Sequence, residues 1–98
     1  MNIFSPQGTT KNLTASSVTS SVALPVFTKS RTVRAYNATT VVVFLEFGTS
    51  AVAAVAATSM PIGPGAVEFF EASASVTYVA AITAAGGGTV YFTEGMGS

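Results

Sequence analysis

The chain has 98 residues, which fits one domain with a modest core, and its four basic and four acidic residues cancel to a net charge of zero. Charged residues make up only 8% of the sequence, against about 25% in typical soluble proteins, so little electrostatic repulsion keeps copies apart. The absence of Cys, His, Asp and Trp excludes disulfides, zinc sites built on Cys or His, and Ser-His-Asp or Cys-His catalysis.

The first 17 residues are rich in Ser and Thr and carry three isolated apolar residues, Ile3, Phe4 and Leu13. Such a segment buries too little surface to offset its own ordering entropy. We therefore predict that residues 1–17 form an extended arm that packs on a neighbouring subunit through these three side chains. Packing on its own domain is the alternative. Residues 18–98 are predicted to form the folded domain.

The rest of the chain shows short strand-forming runs separated by turn signals. The predicted strands are 18–24, 26–30 leading into 31–36, 41–47, 66–72, 76–83 and 89–94, with 51–58 as a further strand or an irregular edge. Seven or eight short strands at this spacing indicate an all-β fold, an antiparallel β-sandwich or jelly roll.

Two hairpins are predicted from local turn chemistry. The residues NATT separate the strands that end at Tyr36 and begin at Val41, and they favour a turn. A hairpin closed there would pair Tyr36 with Val41 and Arg31 with Glu46, an opposite-charge cross-strand pair. The glycine-rich residues 84–88 are predicted to form a second hairpin loop, before the last strand.

The strand VVVFLEF, residues 41–47, is apolar on both of its faces. Period-2 alternation points Val43, Leu45 and Phe47 one way and Val42 and Phe44 the other. One face fills the sandwich, so the other must lie under a loop, the arm or another subunit. A monomer solvated by Ser and Thr hydroxyls is the alternative to a subunit whose faces other proteins cover.

The pattern Val-x-Phe-x-Glu occurs three times, beginning at Val42, Val67 and Val90. Alternation predicts that Val and Phe pack inside while the glutamate marks the rim of the sandwich. Gathering the glutamates into a calcium site is the less favoured interpretation, because antiparallel neighbours end at opposite edges and calcium needs six or more oxygens. We expect ion pairs with the basic residues between 29 and 34 instead. No metal and no cofactor is predicted.

The loop MPIGPG, residues 60–65, is made rigid by two prolines and two glycines. A rigid loop loses little entropy on binding. We therefore predict a contact surface there, formed by Met60, Pro61, Ile62 and Pro64. The alternative is a simple crossover loop between the sheets.

Other activities find little support in the sequence. Three of the four basic residues lie between positions 29 and 34, too few to follow a phosphate backbone, so no nucleic acid is expected. The longest uncharged apolar run, residues 51–57, is far shorter than the ~20 residues of a membrane span, and the N-terminus does not resemble a signal peptide. Residues 86–88 lack the Lys-Ser/Thr of a phosphate loop. No catalytic residue is predicted, and we expect no enzyme.

The element order over residues 32–97 resembles small structural proteins of tailed bacteriophage virions. The order is the turn YNATT, an apolar strand ending in EFG, the loop and strand SMPIGPGAVEFFE, the strand VTYVAAIT, and a glycine loop followed by TVYFTEG. The resemblance implies a β-sandwich that decorates or cements a capsid lattice, often as a dimer or trimer. The implied partner is the major capsid protein or another virion protein, and the implied location is the virion, assembled in the host bacterial cytoplasm. The resemblance assigns no individual functional residue.

Two other functions stay open. One is a tail, collar or fibre component of the same particle. The other is a carbohydrate-binding β-sandwich that recognises a host surface, which would need exposed aromatic and polar side chains. The tyrosines at positions 36, 78 and 91 fit the core pattern better than an exposed platform.

Overall fold

A computed structural model describes residues 5–6, 10–24, 31–56 and 58–96 of the chain. These residues form nine strand segments: β1 (Ser5–Pro6), β2 (Lys11–Ala15), β3 (Ser20–Ala23), β4 (Arg31–Asn37), β5 (Val43–Gly48), β6 (Met60–Ile62), β7 (Val67–Ala72), β8 (Tyr78–Thr83) and β9 (Gly88–Met96). All strand pairs are antiparallel. The prediction of an all-β antiparallel fold is confirmed.

The strands form two sheets with four positions each. Sheet 1 has the order β2-β9-β4-β7, with β1 pairing along the same edge of β9 as β2, and sheet 2 has the order β3-β8-β5-β6. From β2 onward, the chain crosses between the sheets at every connection except β5 to β6. This arrangement is a jelly roll, so the structure selects between the two sandwich types that the strand spacing allowed.

The core lies between the inner faces of the two sheets. On β4 every second side chain is buried, beginning at Arg31, because alternate residues of a strand face opposite sides. Sheet 1 contributes Val33, Ala35, Val90 and Phe92, and sheet 2 contributes Val43, Leu45, Ile62, Val79 and Ala81. The sandwich is therefore filled by aliphatic side chains and one buried phenylalanine.

Both predicted hairpins are wrong, because local turn chemistry does not decide which sheet a strand joins. The strand β4 pairs with β7 and β9, whereas β5 pairs with β6 and β8. The residues at 38–42 therefore cross between the sheets, and so do those at 84–87. The expected pairings of Tyr36 with Val41 and of Arg31 with Glu46 do not form. The predicted strand at 26–30 lies outside the described residues.

The region between β5 and β7 also differs from its prediction. The described residues of 51–58 contain no strand and instead form turns. Met60–Ile62, predicted as part of a rigid loop, forms the short strand β6 and pairs with Val43–Leu45 of β5. The crossover to sheet 1 is therefore shorter than predicted, at residues 63–66, where Gly65 adopts a φ of 74° that favours glycine.

The three Val-x-Phe-x-Glu repeats do not share one orientation. In β9, Val90, Phe92 and Glu94 all face the core, as predicted for the apolar pair. In β7 the pattern is reversed, because Val67 lies on the outer face of sheet 1 and is exposed, and Val42, the residue before β5, is exposed as well. The expectation that every repeat packs its apolar residues inside is thus wrong for two of the three.

The N-terminal segment packs on its own domain where the structure describes it. The strand β2 pairs with β9 in the register Lys11 with Phe92 and Leu13 with Val90, and β1 pairs Ser5 with Met96. Leu13 is only 6% exposed and joins the core. Residues 11–15 are therefore a structural strand of sheet 1, and the alternative interpretation of the arm holds for them. Ile3 and Phe4 lie outside the described residues.

A buried ion pair fixes one end of the sandwich. The Arg31 Nε donates to Glu94 Oε2 at 2.6 Å, and neither side chain is more than 1% exposed. The other guanidinium nitrogens of Arg31 donate to the carbonyl oxygens of Ser73 at 2.5 Å and Val76 at 2.7 Å. Arg31 thereby joins β4, β9 and the crossover from β7 to β8, and the expected pairing of a cation from this region with a glutamate is confirmed.

Gly87 provides a test of how tightly the crossover from β8 to β9 packs on β2. A Cβ at Gly87 would collide with the carbonyl oxygen of Ala15, which belongs to backbone and cannot move aside. We expect Gly87→Ala to lower the free energy of unfolding by about 1–3 kcal/mol, as overpacked sites do. Urea denaturation measures the change.

Gly63→Ala is the matched control, because a Cβ at Gly63 would meet no atom within 4 Å. This variant should unfold within about 0.5 kcal/mol of the wild type. Equal stability of the two variants would contradict the described packing of β2 against this crossover.

Candidate docking groove at the sandwich edge

An apolar groove of about 510 Å³ opens at the edge of the sandwich where β6 and β7 lie. Its apolar lining residues are Leu45, Phe47, Met60, Pro61 and Phe70, and its polar ones are Glu46, Thr58 and Ser59. The groove thus combines residues from both sheets with the segment that leads into β6.

The groove exists because β6 is shorter than its neighbour. β6 pairs only with Val43–Leu45, whereas β5 continues to Gly48. Past Met60, the first residue of β6, the inner face of β5 is open at its side, and Phe47 is only half-buried there. Its ring contacts that of Phe70 on β7, with centroids 5.2 Å apart and planes tilted by 46°. The two rings form an apolar floor that links the sheets.

The polar side of the groove is ordered by one serine. The Ser59 Oγ donates to Glu46 Oε1 at 2.9 Å and accepts a hydrogen bond from the Val55 N–H at 2.8 Å. Glu46 is the charged residue of the lining, so the groove has a carboxylate at its rim and an apolar interior. This chemistry suits an apolar side chain or an extended peptide rather than an anion.

The structure describes five of the seven predicted contact residues and places them in three different environments. Met60 is 55% exposed, and it lines the groove with the exposed Pro61. Pro64 is exposed in the crossover to β7 and does not line the groove. Ile62 is 1% exposed and belongs to the core, as Leu13 does, so neither is accessible to a partner. Ile3 and Phe4 are outside the described residues.

Phe47 and Phe70 were not predicted from the sequence as groove residues. The signal for Phe70 was present, since the adjacent phenylalanines of VEFFEA must face opposite sides of the strand. No local signal reveals that β6 begins only at Met60 and leaves Phe47 without a partner strand on that side.

The second face of β5 is partly covered by the chain itself. Ala80 faces outward, opposite Glu46 on β5 and Ser21 on β3, yet it is fully buried. The segment after β5 lies over this face: its Ala54 is buried and donates its N–H to the Thr19 Oγ1 at 2.9 Å. A loop, the arm or another subunit is expected over an apolar outer face. On sheet 2 the structure shows an overlying loop.

None of the three tyrosines faces the core between the sheets. Tyr36 and Tyr91 oppose each other on the outer face of sheet 1, with ring centroids 6.2 Å apart and planes within 17° of parallel. Tyr78 lies on the outer face of sheet 2 and is half-buried. The expectation that all three fit the core is wrong, because the inward positions of β4 and β9 are taken by their neighbours in sequence.

Metal and membrane sites are not evident in the part of the chain that the structure describes. Among those residues, no group of three or more His, Cys, Asp or Glu could hold a metal ion. Those residues also include no helix long and apolar enough to cross a membrane. Comparison of the chain with protein-family models, curated proteins and solved structures gave no significant match.

Ser59 offers a test of the polar side of the groove. In Ser59→Ala the Val55 N–H loses its acceptor and Glu46 loses a donor, so the segment between β5 and β6 should loosen. We expect a loss of about 1–3 kcal/mol in local stability, measured by amide hydrogen exchange at Val55. Ser50→Ala, at an exposed position of the same segment, is the control. Unchanged exchange at Val55 in Ser59→Ala would refute the role of this hydrogen bond.

Proposed function

We propose that this protein is a non-enzymatic structural subunit of a phage virion, which decorates or cements the capsid lattice. The observation that carries the proposal is the apolar groove at the β6–β7 edge, on a chain with zero net charge. Exposed apolar surface of this kind marks interaction sites, and a neutral chain does not repel a second protein. The partner is the major capsid protein or another virion protein.

The contact chemistry follows from the groove lining. A neighbouring protein inserts an apolar side chain between Met60, Pro61 and the ring pair of Phe47 and Phe70. Pro61 and the ladder hydrogen bonds of β6 hold the groove wall in place before binding, so little conformational entropy is lost there. Each contact is modest in area, and repetition over a lattice multiplies its effect through effective concentration.

The segment that contains Ile3 and Phe4 is a second candidate contact in this proposal. Any truncation that tests it must spare β2, because Leu13 and Ala15 belong to the core. A variant that lacks residues 1–4 satisfies this condition, whereas removal of residues 1–17 would delete a strand of sheet 1.

A tail, collar or fibre component of the same particle is the alternative location. The groove serves that role equally well, because apolar docking does not depend on which virion protein supplies the inserted side chain. Locating the protein in a reconstruction of the particle separates the two.

Co-sedimentation with undecorated shells tests the proposal. Met60→Ser removes an apolar wall of the groove at a position that is 55% exposed, so folding should be little affected. We expect binding about fivefold weaker per contact, since burial of the exposed half of a methionine contributes roughly 1 kcal/mol. The readout is the fraction of protein in the shell pellet at subsaturating concentration.

Val18→Ser is the matched control, because Val18 is 70% exposed and precedes β3, at the sheet edge opposite the groove. This variant should pellet like the wild type. Equal loss in both variants would contradict the groove as the contact, and absence of wild-type protein from the pellet would contradict the decoration role itself.

A further inference from the structure

The outer face of sheet 1 carries aromatic and cationic side chains that the groove does not use. On β4, Arg34 and Tyr36 point outward, and on β9 they are opposed by Thr93 and Tyr91. The four positions form a rectangle, about 5 Å wide across the strands and about 7 Å long along them. This rectangle, here called the tyrosine face, lies outside the sandwich, whereas the groove opens between the sheets.

The two tyrosines present both ring surface and hydroxyl groups. Tyr91 is 38% exposed and Tyr36 is half-buried beside it, with their rings nearly parallel. Within the described part of the chain, the hydroxyl groups of both tyrosines form no hydrogen bond to protein. An aromatic surface with unoccupied hydroxyl groups suits a ligand that is apolar on one side and polar around its edge.

Arg34 supplies a positive charge without an internal counterion. Arg31–Glu94 is the ion pair found among the described residues, so Arg34 is paired neither with Glu71 on the adjacent strand nor with another carboxylate there. Arg34 is half-buried, and its planar guanidinium offers five donors in a geometry that matches a carboxylate. Charge complementarity therefore favours an anionic occupant.

A second copy of this chain fits the tyrosine face poorly. Packed against the same face of a second copy, Arg34 would meet no carboxylate among these four positions, because none of them is acidic. On the β7 side the exposed Val67 and Phe69 oppose Tyr36 and Arg34, whereas the surroundings on the β2 side are polar. Thr93 shares a 2.8 Å hydrogen bond with Thr10, and Asn12 continues the row beside Tyr91 on β2.

We propose that the tyrosine face binds an acidic saccharide. One apolar side of the sugar ring lies against Tyr91, the carboxylate of a uronic acid accepts hydrogen bonds from Arg34, and the ring hydroxyls bond with Tyr36 and Thr93. The spacing of about 7 Å between outward residues of one strand is comparable to a pyranose ring with its carboxylate. This site is independent of the assembly role, because it uses neither the groove nor the segment that contains Ile3 and Phe4.

Saturation-transfer NMR with two matched probes tests the proposal. Methyl β-D-glucuronide and methyl β-D-glucoside differ only in the carboxylate. The full-length protein should bind the glucuronide more tightly, and Arg34→Gln should weaken that binding about tenfold, the effect of losing a hydrogen-bonded charge. Tyr91→Leu, which keeps apolar bulk but removes the ring, should weaken binding of both sugars.

Lys11→Gln is the control, because it removes the same charge from β2 of the same sheet. It should leave glucuronide binding unchanged. Absence of glucuronide binding, or equal weakening by Arg34→Gln and Lys11→Gln, would overturn the proposal. Tighter binding of a tetraglutamate peptide than of the glucuronide would replace the saccharide with an acidic peptide. Circular dichroism of each variant verifies that the fold is retained.

Discussion

The buried contact between Arg31 and Glu94 is the interaction on which the arrangement of this sandwich depends. Glu94 lies directly opposite Val33, so Arg31 reaches it diagonally from the start of β4. A one-residue slip of β9 would turn Glu94 to the outer face and leave the buried arginine without that counterion. The guanidinium also binds carbonyl oxygens of the crossover that carries the chain from β7 in sheet 1 to β8 in sheet 2. One side chain thereby fixes a register and a connection between the sheets. The second carboxylate oxygen, Glu94 Oε1, makes no hydrogen bond among the described residues, so part of the cost of burying this carboxylate is not offset by a hydrogen bond.

With the register of β9 fixed, the chain buries most of its core residues by itself. Two exposed surfaces of different chemistry remain, the groove and the tyrosine face. The segment after β5 covers the outer face of sheet 2 around Ala80, and the late start of β6 at Met60 leaves the groove open between the sheets. The groove is apolar with a carboxylate at its rim, whereas the tyrosine face is aromatic with a cation at one corner. These differences separate the two proposed partners: a protein side chain in the groove and an acidic sugar on the sheet. A particle subunit with both surfaces would be held in the particle by the groove and could contact its surroundings through the tyrosine face.

Most of the longer strands of this fold could be predicted from the sequence, whereas β1, β2 and β6 and the pairing of the strands could not. Strands such as β4, β5, β8 and β9 were recognisable from residue alternation and turn chemistry, because both signals are local. The pairing of the strands was not recognisable, because Arg31 could have paired with Glu46 through a hairpin or with Glu94 through a crossover. Only the packing of the whole core decides between these two arrangements. Prediction of the groove from the sequence is limited for the same reason, because the groove depends on how the strands pair. Met60 and Pro61 stand in a segment whose composition indicates a preformed contact, whereas the exposure of Phe47 depends on the length of a neighbouring strand. The tyrosines were misplaced because Tyr36 and Tyr91 alternate with equally apolar neighbours, and the sequence pattern does not show which set faces inward.

A double-mutant cycle on Arg31 and Glu94 is the most direct test of this dependence. The free energy of unfolding in urea would be compared for Arg31→Met, Glu94→Leu, the double variant and the wild type. We predict that each single variant loses about 3–5 kcal/mol, because each leaves one buried charge uncompensated, and that the double variant loses much less than the sum. If the two losses simply add, the pair is not coupled, and the register of β9 must be set by something other than this contact.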